Sequence, residues 1–150
     1  MKMNRIDQIT KPRFRIAVHV LTWLAQSGGV VSSSAIASQV NSHATFLRRV
    51  LACLTRSGLV DAKEGRDGGY SLRKSHEHLT LADIYVAIQD EREAEEKEEL
   101  DCGEVGRQLD GALETIMDGA EQQLIEYLSK YTLADVMATM PIVSSQQSES

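Results

Sequence analysis

The chain has 150 residues, of which 42% are hydrophobic and 25% are charged, and its formal net charge at pH 7 is −6. This length suits one globular domain, or a small domain with an oligomerisation element, and the hydrophobic fraction supports a folded core. No run approaches the ~20 apolar residues of a membrane span, and the N-terminus lacks the apolar stretch of a signal peptide. We therefore expect a cytoplasmic protein with no membrane partner. Its two cysteines, Cys53 and Cys102, cannot form a disulfide framework.

The charge is divided unevenly along the chain. Residues 1–80 hold 12 Lys or Arg and 5 Asp or Glu, whereas residues 81–150 hold 4 and 17. Because charges beyond a Debye length of roughly 8–10 Å are largely screened, a basic half can meet a polyanion although the whole chain is acidic. The alternative is that both halves simply present solvated charged surfaces. The composition therefore does not exclude nucleic-acid binding.

The first long helix is predicted to begin near Thr10, the expected N-cap, with Pro12 in the first turn, where a missing N–H costs nothing. Its apolar stripe, which ends at residues 28–29, consists of Phe14, Ala17, Val18, Leu21, Leu24 and Ala25. Trp23 lies just off this stripe, and we interpret it as an aromatic residue at the edge of the core rather than a platform for a ligand. Val30 and Val31, next in the chain, predict a short strand.

Two helices predicted in succession have the pattern of a helix-turn-helix. Residues 35–40 form a helix of about two turns, which is too short to be stable without tertiary packing. The next helix has Asn41 or Ser42 as its N-cap and Gly58 just past its end. Its buried face consists of Phe46, Leu47, Val50, Leu51 and Leu54, with Cys53 as a small, half-buried core residue. The first helix would brace the second across the turn between them.

A β-hairpin is predicted directly after this second helix. The runs 59–63 and 70–73 are β-prone, and residues 65–69, Gly-Arg-Asp-Gly-Gly, contain three glycines that tolerate a tight turn. A helix followed at once by a hairpin, with arginines on both, is typical of the recognition helix and wing of a winged helix-turn-helix. The pattern therefore indicates DNA binding.

After the wing the pattern of the chain changes. Thr80 and Asp83 predict the cap of a short helix, and Thr132 and Asp135 repeat the same cap. Between these caps, residues 90–101 are almost wholly charged and predict a solvated helix extension or loop. The last ten residues are expected to be disordered.

A long amphipathic helix is predicted after residue 102. Its apolar residues recur at steps of three and four and are Val105, Leu109, Leu113, Ile116, Ala120, Leu124 and Leu128. About 25 residues of helix span ~37 Å, which is more than a small winged domain needs for its own core. The stripe therefore predicts a homodimer in which the helix pairs with its copy. The predicted interface residues are Leu109, Leu113, Ile116, Ala120 and Leu124.

Together these patterns predict a mainly α-helical fold with a small β-wing, in which a winged helix-turn-helix is followed by a long C-terminal dimerisation helix. We expect three parts. Residues 1–80 form the winged helix-turn-helix domain, residues 81–140 form a helical linker and dimerisation region, and residues 141–150 form a disordered tail.

Three motifs carry a resemblance to a known family. They are F-L-x-x-V-L-x-x-L-x-x-x-G-L-V at 46–60, G-R-D-G-G-Y-x-L at 65–72 and T-L-A-D-I at 80–84. The chain resembles, from about residue 10 to residue 137, the Rrf2 (Rrf-two) family of bacterial winged-helix regulators, the group that contains IscR, NsrR and CymR. The resemblance implies a homodimeric transcription factor whose long C-terminal helices cross at the dimer interface. Each recognition helix would enter a major groove of double-stranded DNA, and each wing tip would touch the neighbouring minor groove.

Carried over by position, the resemblance assigns DNA contacts to Ser42, His43, Thr45, Arg48, Arg49 and Arg66. Arginine offers a bidentate fork to guanine, which is worth roughly 1–3 kcal/mol of discrimination per good pair. An arginine on a glycine-rich tip can enter a narrow minor groove, where the negative potential is enhanced. The alternative for Arg48 and Arg49 is ordinary exposed helix charge, and which of them would read a base is left open.

The chain departs from the cluster-binding members of this family, which carry three closely spaced cysteines between the wing and the long helix. Only Cys102 stands there. Because one thiolate cannot hold a cluster that needs four protein ligands, we predict no iron–sulfur cluster and no other cofactor. His76 and His78 also lack further ligands nearby, so no metal site is expected. Cys102 is a candidate redox sensor, since a helix N-terminus favours thiol reactivity, but the preceding acidic run disfavours it and an unreactive cysteine is the alternative.

We therefore hypothesise a sequence-specific DNA-binding transcriptional regulator, most simply a repressor, that acts as a homodimer on a two-fold symmetric operator and responds to redox state through Cys102. The alternative is a cluster-free regulator controlled by a protein partner or a small ligand at the junction of the winged domain and the dimer helix. An enzyme is not expected, because the chain shows no Ser-His-Asp order, phosphate-binding glycine loop or metal-ligand set.

Overall fold

The computed structural model describes residues 5–40, 43–89 and 103–140, and in these ranges the chain forms seven helices and one two-stranded sheet. In chain order the elements are α1 (Arg5–Ile9), α2 (Pro12–Ser27), α3 (Ser33–Gln39), α4 (Ala44–Arg56), β1 (Val60–Lys63), β2 (Gly69–Leu72), α5 (Leu81–Ala87), α6 (Gly103–Leu128) and α7 (Leu133–Ala138). The prediction of a mainly helical fold with a small β-wing is confirmed. Ser42, Cys102, the charged run 90–101 and the tail 141–150 lie outside the described residues.

The central helix α2 begins with Pro12 at its first position, as predicted, because a proline there sacrifices no hydrogen bond. The predicted cap was wrong. Lys11 occupies the N-cap position, and the Thr10 hydroxyl instead donates to a carbonyl oxygen of α1 at 2.7 Å. Gly28 ends α2 in the left-handed conformation, with φ 74°.

The pair α3 and α4 forms the helix-turn-helix. The Ser32 hydroxyl caps α3 by accepting a hydrogen bond from the Ala35 N–H at 3.2 Å. His43 is the N-cap residue of α4, so the prediction of Asn41 or Ser42 at that position was wrong. Because the apolar face of α4 packs on α2 within the core, its opposite face is presented to solvent.

The wing is an antiparallel hairpin directly after α4. In its register Val60 lies opposite Leu72. Val31 extends the sheet by one bridge, because its N–H and its carbonyl oxygen both form hydrogen bonds of 2.8 Å with the backbone of Tyr70. Gly69 has φ 155°, and a Cβ atom there would collide with the Val31 carbonyl, so this close approach requires glycine.

The apolar core centres on α2 and continues past residue 80. Its largest fully buried side chains are Leu21, Leu24, Ile36, Leu54, Leu79, Ile84, Ile88 and Leu133. Leu79, α5 and α7 therefore contribute to the same core as the helix-turn-helix. Cys53 is 2% exposed, so it is fully buried rather than half-buried as predicted. The three-part division of the chain at residues 80 and 140 stays a prediction.

The helices α5 and α7 begin with the same type of cap, and their cap residues lie next to each other. Thr80 and Asp83 exchange hydrogen bonds of 3.1 and 3.0 Å at the start of α5, and Thr132 and Asp135 exchange hydrogen bonds of 2.9 and 3.1 Å at the start of α7. Both predicted caps are thus confirmed. The two threonines face each other across an isolated antiparallel bridge, and backbone hydrogen bonds of 2.9 and 2.7 Å flank it.

The helix α6 is 26 residues long and therefore extends ~39 Å. Its C-terminal turns pack on the core through three half-buried side chains, Leu124, Ile125 and Leu128. Residues 107–123 are all exposed in the single chain. Within the described ranges, none of the helices combines the length and the apolarity needed to cross a membrane.

Candidate nucleic-acid interface

The outer face of α4 carries the polar residues that the sequence predicts will contact DNA. Thr45, Arg48 and Arg49 are exposed and stand at i, i+3 and i+4, so they share one face of the helix. His43, the N-cap residue, is also exposed. Ser42 lies outside the described residues. The helix thus presents a polar, basic face whose opposite side is fixed by burial in the core.

Arg66 is exposed at the tip of the wing. Gly65, the residue before it, has φ 108°, and the Gly68 N–H donates to the Gly65 carbonyl oxygen at 3.1 Å, which closes the turn. A Cβ atom at Gly68 would collide with the Lys63 carbonyl, so the turn also needs glycine at this position. The backbone of the turn therefore holds the guanidinium of Arg66 at the end of a short, well-defined hairpin.

The base of the wing is tied by Arg73. Its Nε donates to the Asp61 carboxylate at 3.0 Å, and its backbone N–H donates to the Leu59 carbonyl oxygen at 3.0 Å. The side chains of the ion pair are 62% and 50% exposed, so the pair contributes at most about 1 kcal/mol. The position of the wing beside α4 therefore depends mainly on the backbone hydrogen bonds of the hairpin.

A groove of about 340 Å³ lies beside the polar face of α4. Ser33 and Ser34 of α3, Arg48 of α4 and Tyr70 of β2 contribute to its lining. Serine hydroxyls are common donors to phosphate oxygens, and these two residues were not among the predicted DNA contacts. The signal that could have found them is the serine run at 32–34 ahead of the first helix of the pair.

The residues predicted for the dimer interface lie on α6. Leu109, Leu113 and Ile116 are 60%, 49% and 65% exposed, and Ala120 is exposed beside them. Leu124 is half-buried and packs against the core of its own chain. An apolar stripe of this length exposed to water is typical of a surface that another protein covers.

Two ionisable side chains of α5 have shifted pKa values. Burial raises the pKa of Tyr85 to about 12, together with the carboxylate of Glu121, which accepts a hydrogen bond from the Tyr85 hydroxyl at 2.9 Å. Burial also raises the pKa of Asp83, but hydrogen bonds from the Thr80 backbone and the Lys74 ammonium outweigh it and hold that pKa below 3.8. Neither group is among the residues predicted to contact DNA, and their hydrogen bonds stabilise the fold.

This arrangement, a helix-turn-helix with a basic face and an arginine-tipped wing, can be compared with known proteins. A family model described as "Rrf2: Iron-dependent Transcriptional regulator" matches residues 10–139. The chain belongs to the Rrf2 family. As a member of the Rrf2 family it is a DNA-binding transcriptional regulator, and the resemblance read from the three sequence motifs is confirmed.

Curated relatives agree with the Rrf2 assignment. The protein Aau3 of Rhizobium meliloti is 31% identical over 133 residues, which cover 85% of this chain and 84% of Aau3. The HTH-type transcriptional regulator IscR of Cereibacter sphaeroides is 30% identical over 83 residues, which cover 54% of this chain and 54% of IscR. Because the family model describes a transcriptional regulator and IscR is one, the prediction that the chain is not an enzyme is confirmed.

Solved structures share the Rrf2 fold. A transcriptional regulator from Lactobacillus plantarum superposes with a TM-score of 0.67 at 22% identity, covering 92% of this chain and 98% of that one. CymR, the global cysteine regulator of Bacillus subtilis, gives a TM-score of 0.57 at 23% identity, covering 92% of this chain and 97% of CymR. The winged-helix architecture with a long C-terminal helix is therefore that of the Rrf2 family.

The residues of this Rrf2 protein do not fit an iron–sulfur cluster, although the family model is described as iron-dependent. Such clusters are commonly held by four cysteine thiolates, and the chain has two cysteines. Cys53 is buried in α4, and Cys102 lies outside the described residues. Among residues 5–40, 43–89 and 103–140, no group of three His, Cys, Asp or Glu side chains is placed to hold a metal ion. That the protein works without a cluster stays a prediction.

Proposed function

We propose that this Rrf2-family protein is a homodimeric repressor that binds a two-fold symmetric operator in double-stranded DNA in the cytoplasm. The observation that carries the proposal is the exposed face of α4, where Thr45, Arg48 and Arg49 lie together on the second helix of the helix-turn-helix. The major groove admits an α-helix and displays a distinct donor and acceptor pattern for each base pair. Repression is the simplest consequence, because it requires only that the bound dimer occupies DNA that transcription needs.

Each candidate residue has a role that its chemistry supports. Arg48 or Arg49 reads a guanine, since a guanidinium can form two parallel hydrogen bonds to that base. His43 and Thr45, with Ser42, contact phosphates or base edges near the start of α4 and set its register on the duplex. Arg66 enters the adjacent minor groove, where a narrow groove strengthens the negative potential.

The dimer is formed by α6. Its exposed apolar stripe, including Leu109, Leu113 and Ile116, pairs with the same stripe of a second copy around a two-fold axis. Two α4 helices related by that axis would read half-sites one or more helical turns apart, at multiples of about 34–36 Å. The helix also carries six Asp or Glu and one Arg, so apolar contact must overcome repulsion between like charges. Added salt should therefore strengthen the dimer while it weakens DNA binding.

A selection of genomic fragments with the purified protein tests the proposal. Enrichment of one two-fold symmetric site is expected, and enrichment of no sequence would refute specific binding. In a randomised-site selection, Arg48→Ala or Arg49→Ala should relax specificity at one operator position, at a cost of about 1–3 kcal/mol. Arg56→Ala is the matched control, because Arg56 stands at the opposite end of the same helix with its guanidinium 3.5 Å from the Cys53 sulfur. An equal effect of the control would contradict the assigned DNA-binding face.

Arg66→Ala tests the wing. If Arg66 contacts the phosphates or the minor groove, affinity should fall for most sequences and the slope of log affinity against log salt should decrease by about 1. Lys130→Ala is the charge-matched control, because Lys130 is an exposed cation in the turn that follows α6. Unchanged affinity at two salt concentrations would remove Arg66 from the interface.

Light scattering tests the dimer. Leu113→Glu places a charge in the stripe and should give a monomer that loses operator binding. Val86→Glu is the control, because Val86 is similarly exposed at 55% but lies on α5. A Leu113→Glu variant that keeps the mass of a dimer would show that another surface pairs.

Regulation by a signal completes the proposal, in one of two forms. The first is oxidation of Cys102, in which case Cys102→Ser should abolish release of DNA by a mild oxidant. Cys53→Ser is the control, since Cys53 is the only other thiol and is buried. If oxidant still releases DNA from the Cys102→Ser variant, the redox form fails. The second form is control by a protein partner or a small ligand bound at the junction of the winged domain and the dimer helix.

A further inference from the structure

A crevice of about 290 Å³ opens between α2, the end of α3 and the C-terminal part of the chain. Its walls are mainly apolar and include Val18 and Trp23 of α2, Val40 at the end of α3, and Val136 and Met140 from α7 and the residues after it. Space of this size and character suits a molecule with one aromatic ring. The crevice lies on none of the surfaces assigned to DNA or to the dimer.

Trp23 lines the crevice, and its indole N–H lacks a hydrogen-bond acceptor among the described residues. The side chain packs against the edge of the core, as predicted, and its indole N–H is buried. In the part of the chain that the structure describes, this N–H has no hydrogen-bond partner. Buried tryptophan N–H groups usually find an acceptor, and an orphaned one calls for an explanation. An acceptor oxygen on a bound ligand would supply the missing partner.

The remaining polar side chains of the lining also favour an acceptor. They are His19, Thr22, Gln26 and Gln39, all of which can donate hydrogen bonds, and the lining includes no carboxylate. An anionic or strongly accepting group would therefore meet donors without meeting a negative charge. A ring beside the indole and a carboxylate near the donors satisfy both the apolar walls and the polar requirement.

We propose that this crevice binds a small aromatic carboxylate, with its ring against Trp23 and an oxygen accepting a hydrogen bond from the indole N–H. Because that nitrogen is closed to water, its hydrogen bond to a ligand requires a rotamer change in the side chains that cover it.

The position of the crevice connects it to DNA binding. Val40 is 3% exposed and closes α3, and His43, which begins α4, follows three residues later. A ligand that contacts both α2 and Val40 favours whichever arrangement of the helix-turn-helix fits it best. This step rests on the proposed function, and the expected coupling is a change in operator affinity of about 5–150-fold.

Nuclear magnetic resonance gives a direct test, because Trp23 is the only tryptophan in the chain and yields a single indole N–H signal. Benzoate is the probe, added to the full-length protein without DNA, and acetate is the control carboxylate without a ring. Benzoate should shift the indole signal saturably, and acetate should not. An unshifted signal up to the solubility limit of benzoate would overturn the proposal.

Two variants locate the binding. Val136→Phe fills the crevice and should abolish the benzoate shift, whereas Val86→Phe, on the exposed face of α5, should leave it unchanged. A shift that survives in Val136→Phe would overturn the assignment to this crevice. A chain ending at Met140 is the third comparison. If benzoate binds only to that shortened chain, residues 141–150 compete for the crevice and the small-molecule proposal fails.

The effect on DNA is measured separately with the operator fragment from the selection, with and without benzoate. A change of 5-fold or more that Val136→Phe removes supports control of DNA binding through the crevice. A shifted indole signal with unchanged operator affinity would overturn the coupling. Absence of operator binding under all conditions would count against the proposed function, and the indole signal would still decide whether the crevice binds benzoate.

Discussion

Replacing Leu133 by alanine tests whether α7 belongs to the core that supports the DNA-contacting helices. Leu133 is the first residue of α7, its side chain is 0% exposed, and its N–H donates to the Leu79 carbonyl oxygen at 2.7 Å. The substitution loses the transfer free energy of the side chain and leaves a cavity, which together cost about 2.7–5 kcal/mol at well-packed sites. Against a total stability of about 5–15 kcal/mol, this is a large share.

Urea unfolding followed by circular dichroism measures the effect. With a slope of about 1–3 kcal/mol per molar urea, the midpoint of Leu133→Ala should fall by roughly 1–5 M with the slope unchanged. Leu109→Ala is the matched control, because it makes the same chemical change at a residue that is 60% exposed in the single chain. Its effect should appear only at protein concentrations that support the dimer. A Leu133→Ala variant within about 1 kcal/mol of the unmodified protein would refute the shared core.

Three further substitutions probe other contacts. Tyr85→Phe should lower the free energy of unfolding by about 1 kcal/mol, because the hydroxyl no longer donates to Glu121. The pKa of Tyr85 is raised from 10.0 to about 12, so the extra stability of the unmodified protein over Tyr85→Phe should be complete below pH 10 and lost as the pH rises through 12. Thermal unfolding at several pH values measures this difference. Because the folded-state pKa of Asp83 is depressed, this carboxylate stabilises the fold above pH 3.8 and loses that effect as the pH falls below it. Asp83→Asn should remove this stabilisation, and acid unfolding curves that coincide for both proteins would contradict the prediction. Gly69→Ala should push the wing away from the Val31 carbonyl and lower the free energy of unfolding by about 1–3 kcal/mol, with a matching loss of operator affinity. A variant of normal stability and affinity would show that the backbone accommodates the side chain.

Much of the fold could be predicted because its signals are local. The spacing of apolar residues in α4 predicts a helix, and the glycines at 65–69 predict the turn of a hairpin that follows it closely. The two T-x-x-D caps were readable because both members of each hydrogen-bonded pair lie within one helical turn. The exposed polar face of α4 follows from the same period, which is why three of its candidate contacts share one face in the structure.

The features that were missed depend on contacts between distant parts of the chain. Nothing near Leu133 distinguishes it from the other leucines of the C-terminal region, and its burial results from the bridge that brings residue 132 to residue 80. The start of α4 was also missed, because His43 occupies the N-cap position although its side chain forms no capping hydrogen bond, so capping preference alone could not locate it. The crevice beside Trp23 exists only where α2, α3 and α7 meet, so no single segment could have indicated it.

The bridge between Thr80 and Thr132 decides where this chain can be recombined with a relative. Residues near position 80 and residues near position 132 pack into one core. A chimera joined at residue 80 would therefore replace Leu133 by the relative's residue, while the part of the core that precedes residue 80 would still come from this chain. The exposed turns of α6, residues 107–123, are different, because their side chains are not committed to that core. In the proposed dimer, exchanging only those turns would change which chains pair with each other and leave the winged helix-turn-helix intact. In a cell that makes several such regulators, the same separation would keep each one paired with its own kind.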